Sequence, residues 1–252
     1  MIFTATEIIG HRGAGRDGAA DRESAENTVA SALAAVEAGA TWVEIDVRRS
    51  ADGVLMAHHE PVLADGQAIV DVSASTCRSF GLATLAEIFE AVPAHVGVDV
   101  DVKTVMEDAV AEPAQRTVAL LAPLLRREVR RRSLLVCSFD PAVLPAIRKG
   151  VRGIATAWMP FVRNPPDQAV AGAAGMGCEA VAIDARSFGD PDKLQHSGYR
   201  DAKYTAELAH RAGMEVVLWC PTPQEAAMFA AAGVDAVVVD DIAGTREALR
   251  GL

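Results

Sequence analysis

Short β-like apolar runs alternate with alanine-rich helical stretches from one end of the chain to the other, and this alternation constrains the fold more than any other feature. The candidate strands are Glu7–Gly10, Trp42–Val47, Gly97–Val102, Leu134–Ser138, Gly153–Trp158, Ala180–Asp184, Glu215–Trp219 and Ala236–Asp240. The candidate helices are Ser31–Ala38, Leu85–Ala91, Asp108–Leu125, Pro141–Lys149, Pro166–Ala174, Ala202–Ala212, Pro223–Ala232 and Ala243–Leu249. A strand followed each time by a helix makes parallel βα units, because parallel neighbours need a long crossover between them. The expectation is an α/β fold, a (β/α)8 TIM barrel. A further run, Val54–His58, follows after only Ser50-Ala51-Asp52-Gly53, and Asp-Gly between two β-like runs signals a hairpin. It reads as a β-hairpin excursion after strand 2, an arm folded back over the barrel mouth. No composition shift or Pro/Ser-rich linker divides the chain, so residues 1–252 are expected to form one domain. The polar segment Leu63–Ser79 is expected to be a small lid. Arg126, Arg127, Arg130, Arg131 and Arg132 are expected to be solvated near a helix end, facing its dipole.

Polar residues interrupt this pattern where the strands end. Ile8-Ile9-Gly10 opens into His11-Arg12, Trp42-Val43 leads into Glu44-Ile45-Asp46, and Val98 leads into Asp99-Val100-Asp101-Val102-Lys103. Side chains two apart on a strand share a face, so Glu44 with Asp46, and Asp101 with Lys103, point the same way from strands that otherwise read as buried. Burying such charges is costly unless they pair or hold an ion. In a parallel barrel the active face lies at the C-terminal ends of the strands, where these residues fall, and His59 sits on the returning hairpin arm. Carboxylates without cysteine or clustered histidine ligands suit a hard cation, Mg²⁺ or Ca²⁺. The two histidines are then candidates for proton transfer, and Arg12 and Lys103 for holding phosphate oxygens.

Composition narrows the class. A net charge of −10 argues against a nucleic-acid or anionic-membrane surface, so no nucleic acid and no stable membrane association are expected. Four scattered cysteines, Cys77, Cys137, Cys178 and Cys220, form no Cys-x-x-Cys pair and suit a reducing compartment. No apolar run approaches the roughly 18 to 20 residues of a membrane span. No basic n-region marks a signal peptide, and a cytoplasmic location is the expectation.

Read in order, Gly10-His11-Arg12-Gly13, Glu26-Asn27-Thr28, Glu44-Ile45-Asp46-Val47, and Asp52-Gly53 seven residues before His59 resemble the glycerophosphodiester phosphodiesterase family. Asp101-Val102-Lys103, Ser138-Phe139-Asp140, Trp219 and Gly233-Val234-Asp235-Ala236 agree with it. The resemblance implies hydrolysis of a small-molecule glycerophosphodiester to glycerol 3-phosphate and an alcohol. By the same resemblance His11 and His59 are the acid/base pair, Glu44, Asp46 and Asp101 hold the metal, and Arg12 and Lys103 contact phosphate. Glu26 is placed in the site, and Trp219 is a candidate wall of the substrate pocket. A lysophospholipase D or sphingomyelinase D type of activity, or a non-catalytic phosphodiester-binding relative, would use the same core.

Three departures from the family pattern carry expectations. His59-Glu60 stands where the family has His-Asp, and Asp101-x-Lys103 where it has Glu-x-Lys. The shorter Asp101 predicts a shifted or weaker metal site, or recruitment of Asp99. Leu63-Ala64-Asp65-Gly66 replaces a basic stretch after the second histidine, which bears on leaving-group preference. His58 competes with His59 for one role, and strand alternation puts it on the opposite face. His95, His196 and His210 read as surface or packing residues, Trp158 as packing, and Asp184 and Asp240 as helix caps.

Overall fold

The structure is a computed structural model that describes residues 1–15, 26–188 and 200–251. His196 lies outside the described residues. The strands are β1 (Glu7–Gly10), β2 (Trp42–Arg49), β3 (Leu55–Ala57), β4 (Gly97–Val102), β5 (Leu134–Ser138), β6 (Ala155–Trp158), β7 (Ala180–Asp184), β8 (Glu215–Trp219) and β9 (Ala236–Val239). The helices are α1 (Val29–Ala38), α2 (Ala74–Ser79), α3 (Leu85–Ala91), α4 (Thr117–Glu128), α5 (Val143–Gly150), α6 (Pro166–Met176), α7 (Ala202–Arg211), α8 (Pro223–Ala231) and α9 (Ile242–Leu249). All strands except β3 run parallel, and β1 pairs with both β2 and β9, which closes an eight-stranded barrel.

The barrel strands are largely apolar on both faces, as a parallel sheet covered by helices requires, except where Glu44, Asp46, Asp99 and Asp101 stand on β2 and β4. Val43, Ile45, Val98, Val100, Val216, Leu218, Val237 and Val239 face outward against helix residues such as Phe89, Leu121, Leu125, Leu144 and Ile147. Ile9, Trp42, Leu135, Cys137, Ala157, Met159, Ala180, Ala182, Val217, Ala236 and Val238 face the barrel axis. The N-terminal end of the barrel is plugged. Phe3 packs edge-on against Trp42 at 5.2 Å between ring centroids, and the Ile2 and Phe3 amides donate to Glu215 at 2.6 and 3.2 Å. Gly97 lies under the Trp42 indole, where any Cβ would collide with the ring.

β3 is the expected hairpin arm. It pairs antiparallel with the end of β2, Val47 with Ala57 and Arg49 with Leu55, while β4 occupies the other edge as far as Val47. The Ser50 hydroxyl donates to Asp52 at 2.6 Å and accepts from the Val54 amide at 3.0 Å, and Gly53 takes a positive φ of 78°. The Leu63–Ser79 segment is not an open lid. It wraps Met56, Leu63, Ile69, Ala74 and Cys77 into a small core of their own, with α2 started by the Ser73 side chain.

Two other expectations are corrected. α4 begins at Thr117, not at Asp108, because Asp108 sits in a 3₁₀ turn, where its carboxylate accepts from Arg49 at 2.9 Å and from the Thr117 amide. Pro113 then opens a separate short turn. Arg132 is buried, not solvated: it pairs with buried Glu128 at 3.2 Å and donates to the Phe89 and Val92 carbonyls at the end of α3. The guanidinium thus satisfies carbonyls that a helix end leaves open. Arg126, Arg127 and Arg131 stay on the surface.

Candidate active site

The site is assembled where β1, β2 and β4 end, and local backbone chemistry explains each placement. The His11 amide continues the β1–β9 ladder by donating to Val239 at 3.0 Å, which sets the imidazole beside Asp240 at the end of β9. His11 Nδ1 and Asp240 Oδ1 are 2.8 Å apart. Arg12 has a positive φ of 53°, uncommon for a side-chain-bearing residue, and its amide donates to Glu44 at 2.7 Å. Gly13, at φ 92°, is pressed against Ser31 so closely that a Cβ would overlap it. The His-Arg-Gly turn therefore points imidazole and guanidinium into the barrel mouth together.

Glu26, Asn27 and Thr28 have three separate jobs. Glu26 accepts from Arg12 Nη1 at 2.8 Å. Asn27, at φ 60° and buried, donates from Nδ2 to Asp46 at 2.8 Å and accepts from the Asp46 amide at 3.0 Å. Thr28 caps α1 through the Ser31 amide. A side-chain amide is one of the few groups that can donate to a carboxylate and accept from its own backbone N–H at once.

Glu44 and Asp46 on β2 stand opposite Asp99 and Asp101 on β4 in the strand register, and all four are buried. Lys103 Nζ is 3.0 Å from Asp46 Oδ1, contacts Asp101 Oδ2, and lies 4.9 Å above the Phe139 ring. Arg12 Nε is 3.3 Å from Asp46 Oδ2. Burial, reinforced by Asp46 and Asp101, pushes the Glu44 carboxyl well above its ordinary range. Burial also lifts Asp101 to about 6 and Asp99 to about 7. Burial acts the same way on Asp46, but Lys103 and Arg12 outweigh it and hold that group low.

His59 sits on the hairpin arm, half-buried, with Nδ1 2.8 Å from Glu60 Oε1. Glu60 thus makes the imidazole contact from the position where the family pattern has Asp. Burial lowers the His59 pKa despite the pull of Asp46 and Glu60. His58 does not line the cavity; its amide donates to the Asp46 carbonyl at 3.2 Å. Trp219 does line it, with its ring 5.9 Å from Phe139 in an edge-on arrangement.

One cavity, open at the barrel mouth, is lined by His11, Arg12, Glu44, Asp46, His59, Asp101, Lys103 and Trp219. Glu26, placed in the site by the resemblance, is not part of this lining and stands against Arg12. Glu44, Asp46 and Asp101 each bring a carboxylate oxygen within 4.8 Å of the others, so the three could hold a metal ion. Asp101 Oδ1 is buried without a hydrogen-bond partner, which a cation at this point would satisfy. The donors are all oxygen, and the shorter Asp101 still joins the cluster. Asp99 lies outside that group of three and has its own unpartnered Oδ1.

The sequence profile of the Glycerophosphoryl diester phosphodiesterase family matches residues 11–243. The chain belongs to this family. An 80-residue stretch, 31% of the chain, is 35% identical to a glycerophosphocholine phosphodiesterase of Candida albicans but covers only 7% of that protein. Among solved structures, a phosphodiesterase from Oleispira antarctica in complex with the product sn-glycerol-3-phosphate superposes with a TM-score of 0.76 at 21% identity, over 98% of this chain and 97% of that one. A glycerophosphodiester phosphodiesterase from Thermotoga maritima gives 0.72 at 19% identity, over 96% and 97%. These likenesses establish the shared TIM barrel.

Sequence reasoning missed the part that two residues play at this candidate site. Asp240 reads as a helix cap, yet it faces His11 from 229 residues away. The cap of α9 is its neighbour Asp241, which accepts from the Gly244 amide. Asn27 was visible within Glu-Asn-Thr, but its double bond to Asp46 depends on a left-handed backbone that residue type alone only permits. Asp184 does act as a cap, of the short 3₁₀ turn Ala185–Phe188: it accepts from the Arg186 amide at 2.8 Å and also pairs with the Arg186 guanidinium.

Proposed function

We propose that this protein hydrolyses glycerophosphodiesters to glycerol 3-phosphate and an alcohol, with His11 and His59 as the acid/base pair. The observation that carries the reading is the convergence of two imidazoles and three clustered carboxylates on one cavity. Each imidazole has Nδ1 engaged by a carboxylate, Asp240 for His11 and Glu60 for His59. An ionised carboxylate only accepts, so Nδ1 carries hydrogen and Nε2 is left to exchange a proton with substrate. One histidine takes the proton of the attacking hydroxyl and the other donates to the departing alcohol oxygen. The attacking group is either the neighbouring glycerol hydroxyl, giving a cyclic phosphate that water opens, or water itself.

Glu44, Asp46 and Asp101 would hold Mg²⁺ or Ca²⁺, which supplies Lewis-acid stabilisation of charge on the phosphate. Arg12 and Lys103 hold phosphate oxygens, and Lys103 is kept fully charged because Asp101 and Asp46 outweigh its burial. Glu26 steadies Arg12, and Trp219 walls the pocket. The family membership and the names of the relatives support this substrate class. One closed barrel among the described residues supports reading residues 1–252 as one domain. No helix among the described residues is long and apolar enough to cross a membrane, and four unpaired cysteines support a reducing, cytoplasmic setting.

Phosphorus NMR of glycerophosphocholine and glycerophosphoethanolamine with the protein and divalent metal tests the reading. The expected result is replacement of the diester resonance by glycerol 3-phosphate, with a cyclic species in transit if the neighbouring hydroxyl attacks. Unchanged diester with either ion would contradict it.

A further inference from the structure

The two cavity histidines are held in unlike ways. His11 is fixed to the barrel twice, by its amide on the Val239 carbonyl and by its ring beside Asp240. The ring of His59 is engaged by Glu60, its own neighbour in the chain. That contact orients the ring relative to the hairpin arm, but it travels with the arm and cannot fix His59 relative to β2. Among the described residues, the last backbone bond of the arm to β2 runs from the His58 amide to the Asp46 carbonyl at 3.2 Å. The chain is tied down again at Pro61, whose carbonyl accepts from the Ile69 amide at 3.0 Å. His59 and Glu60 lie between these two anchors.

Arg48 spans that gap, its Nε donating to the His59 carbonyl at 2.8 Å. We infer that Arg48 is a positioning residue, which pins the arm to β2 through this bond and so keeps the His59 imidazole at the cavity. The inference rests on the hydrolytic reading above and adds a residue to it. Two-residue alternation puts Arg48 on the β2 face of Glu44 and Asp46. It stands opposite Met56 at the middle rung of the β2–β3 register, and Met56 is fully buried in the small core of the arm. The bond therefore starts from a packed stretch of backbone and ends on a span that has no other tie to β2 among the described residues.

Arg48 does not line the cavity, so it acts through His59 and not on substrate. Charge alone does not account for it either. Asp46, Glu60 and Asp101 attract the guanidinium, yet burial outweighs them and lowers its pKa, so the setting disfavours the cation on balance. What the position retains is a directed N–H, and a supporting bond of this kind holds a reacting group in its productive geometry.

The test compares kcat and KM for choline release from glycerophosphocholine, with Mg²⁺ or Ca²⁺, in the wild type and three variants. In Arg48→Gln the amide nitrogen stands as many bonds from Cα as the arginine Nε, so a donor is kept while the charge is lost. In Arg48→Lys the charge is kept, but a methylene takes the Nε place. Arg48→Met keeps neither. Displacing a catalytic group by about 1 Å costs about a hundredfold, so kcat should fall about that far in Arg48→Met, most of that far in Arg48→Lys, and less than about fivefold in Arg48→Gln, with KM little changed. Wild-type kcat in Arg48→Met, Arg48→Lys more active than Arg48→Gln, or equal losses in all three would overturn the assignment and leave hydrolysis standing. If the wild type releases no choline, the hydrolytic reading fails and hydrogen exchange decides the positioning. The Ala57 and His58 amides, bonded to the Ala83 and Asp46 carbonyls, should then exchange at least about tenfold faster in Arg48→Met than in Arg48→Gln, and equal rates overturn it.

Discussion

At the seam where β1 meets β9, a carboxylate near the end of the chain fixes an imidazole near its start. If Asp240 sets the His11 tautomer, Asp240→Asn should lower kcat about a hundredfold with KM and metal affinity little changed, because the amide permits the wrong tautomer. Nitrogen NMR of the His11 ring should show the hydrogen leaving Nδ1; wild-type kinetics with an unmoved hydrogen would refute this role. His59 carries a pH prediction. Burial lowers its pKa, so it stays neutral, and able to act as a base, to more acidic pH than an ordinary imidazole. The acid limb of kcat/KM should therefore fall below about pH 6.5, and a limb above that value would contradict His59 as the base. Asp101→Glu restores the length usual in the family and should raise metal affinity, read by calorimetry. A pure stability effect with unaltered metal binding would remove Asp101 from the ligand set.

Much of this was legible at the residue scale. His11, Arg12, Glu44, Asp46, Asp101 and Lys103 are set by strand ends and two-residue alternation, which a single sequence displays. His59 follows from the hairpin register. Asp240 was not legible because its partner is distant in the chain, and Asn27 because its geometry depends on a strained turn.

Elements were legible where a hydrophobic period was uninterrupted. β1, β4, β5, β7 and β8 run over the expected residues, as does α3, which has its capping box of Thr84 and Glu87. The start of α4 was not, since Asp108 spends its carboxylate on Arg49 and the Thr117 amide instead of extending a helix. Leu63–Ser79 read as a lid because its buried residues follow no regular period. Its order comes from packing against Met56. β4 also begins with an exacting contact: Gly97→Ala would drive a methyl into the Trp42 indole beneath the barrel. Overpacking of this kind costs about 1–3 kcal/mol, and denaturant unfolding should show that loss. Unchanged stability would mean that the barrel floor is looser than its packing indicates.

Across the whole molecule the two barrel ends divide the work. The N-terminal end is sealed by Phe3, Trp42 and Glu215, whereas the C-terminal end gathers charge from strands that neighbour one another in the sheet. Fully ionised, the four buried carboxylates would exceed the charges of Arg12 and Lys103 by two, which one divalent cation would neutralise. Metal should therefore raise the unfolding temperature in a concentration-dependent way, since a ligand bound only by the folded state stabilises it by mass action. A thermal transition indifferent to Mg²⁺ and Ca²⁺ would argue against a resident ion. The central claim joins that ion to turnover, and glycerol 3-phosphate release from glycerophosphocholine, measured before chelation, after it and with Mg²⁺ or Ca²⁺ restored, tests it most directly. Turnover that is lost with the metal and returns with it is the result predicted here; turnover that persists in the fully chelated protein would contradict it.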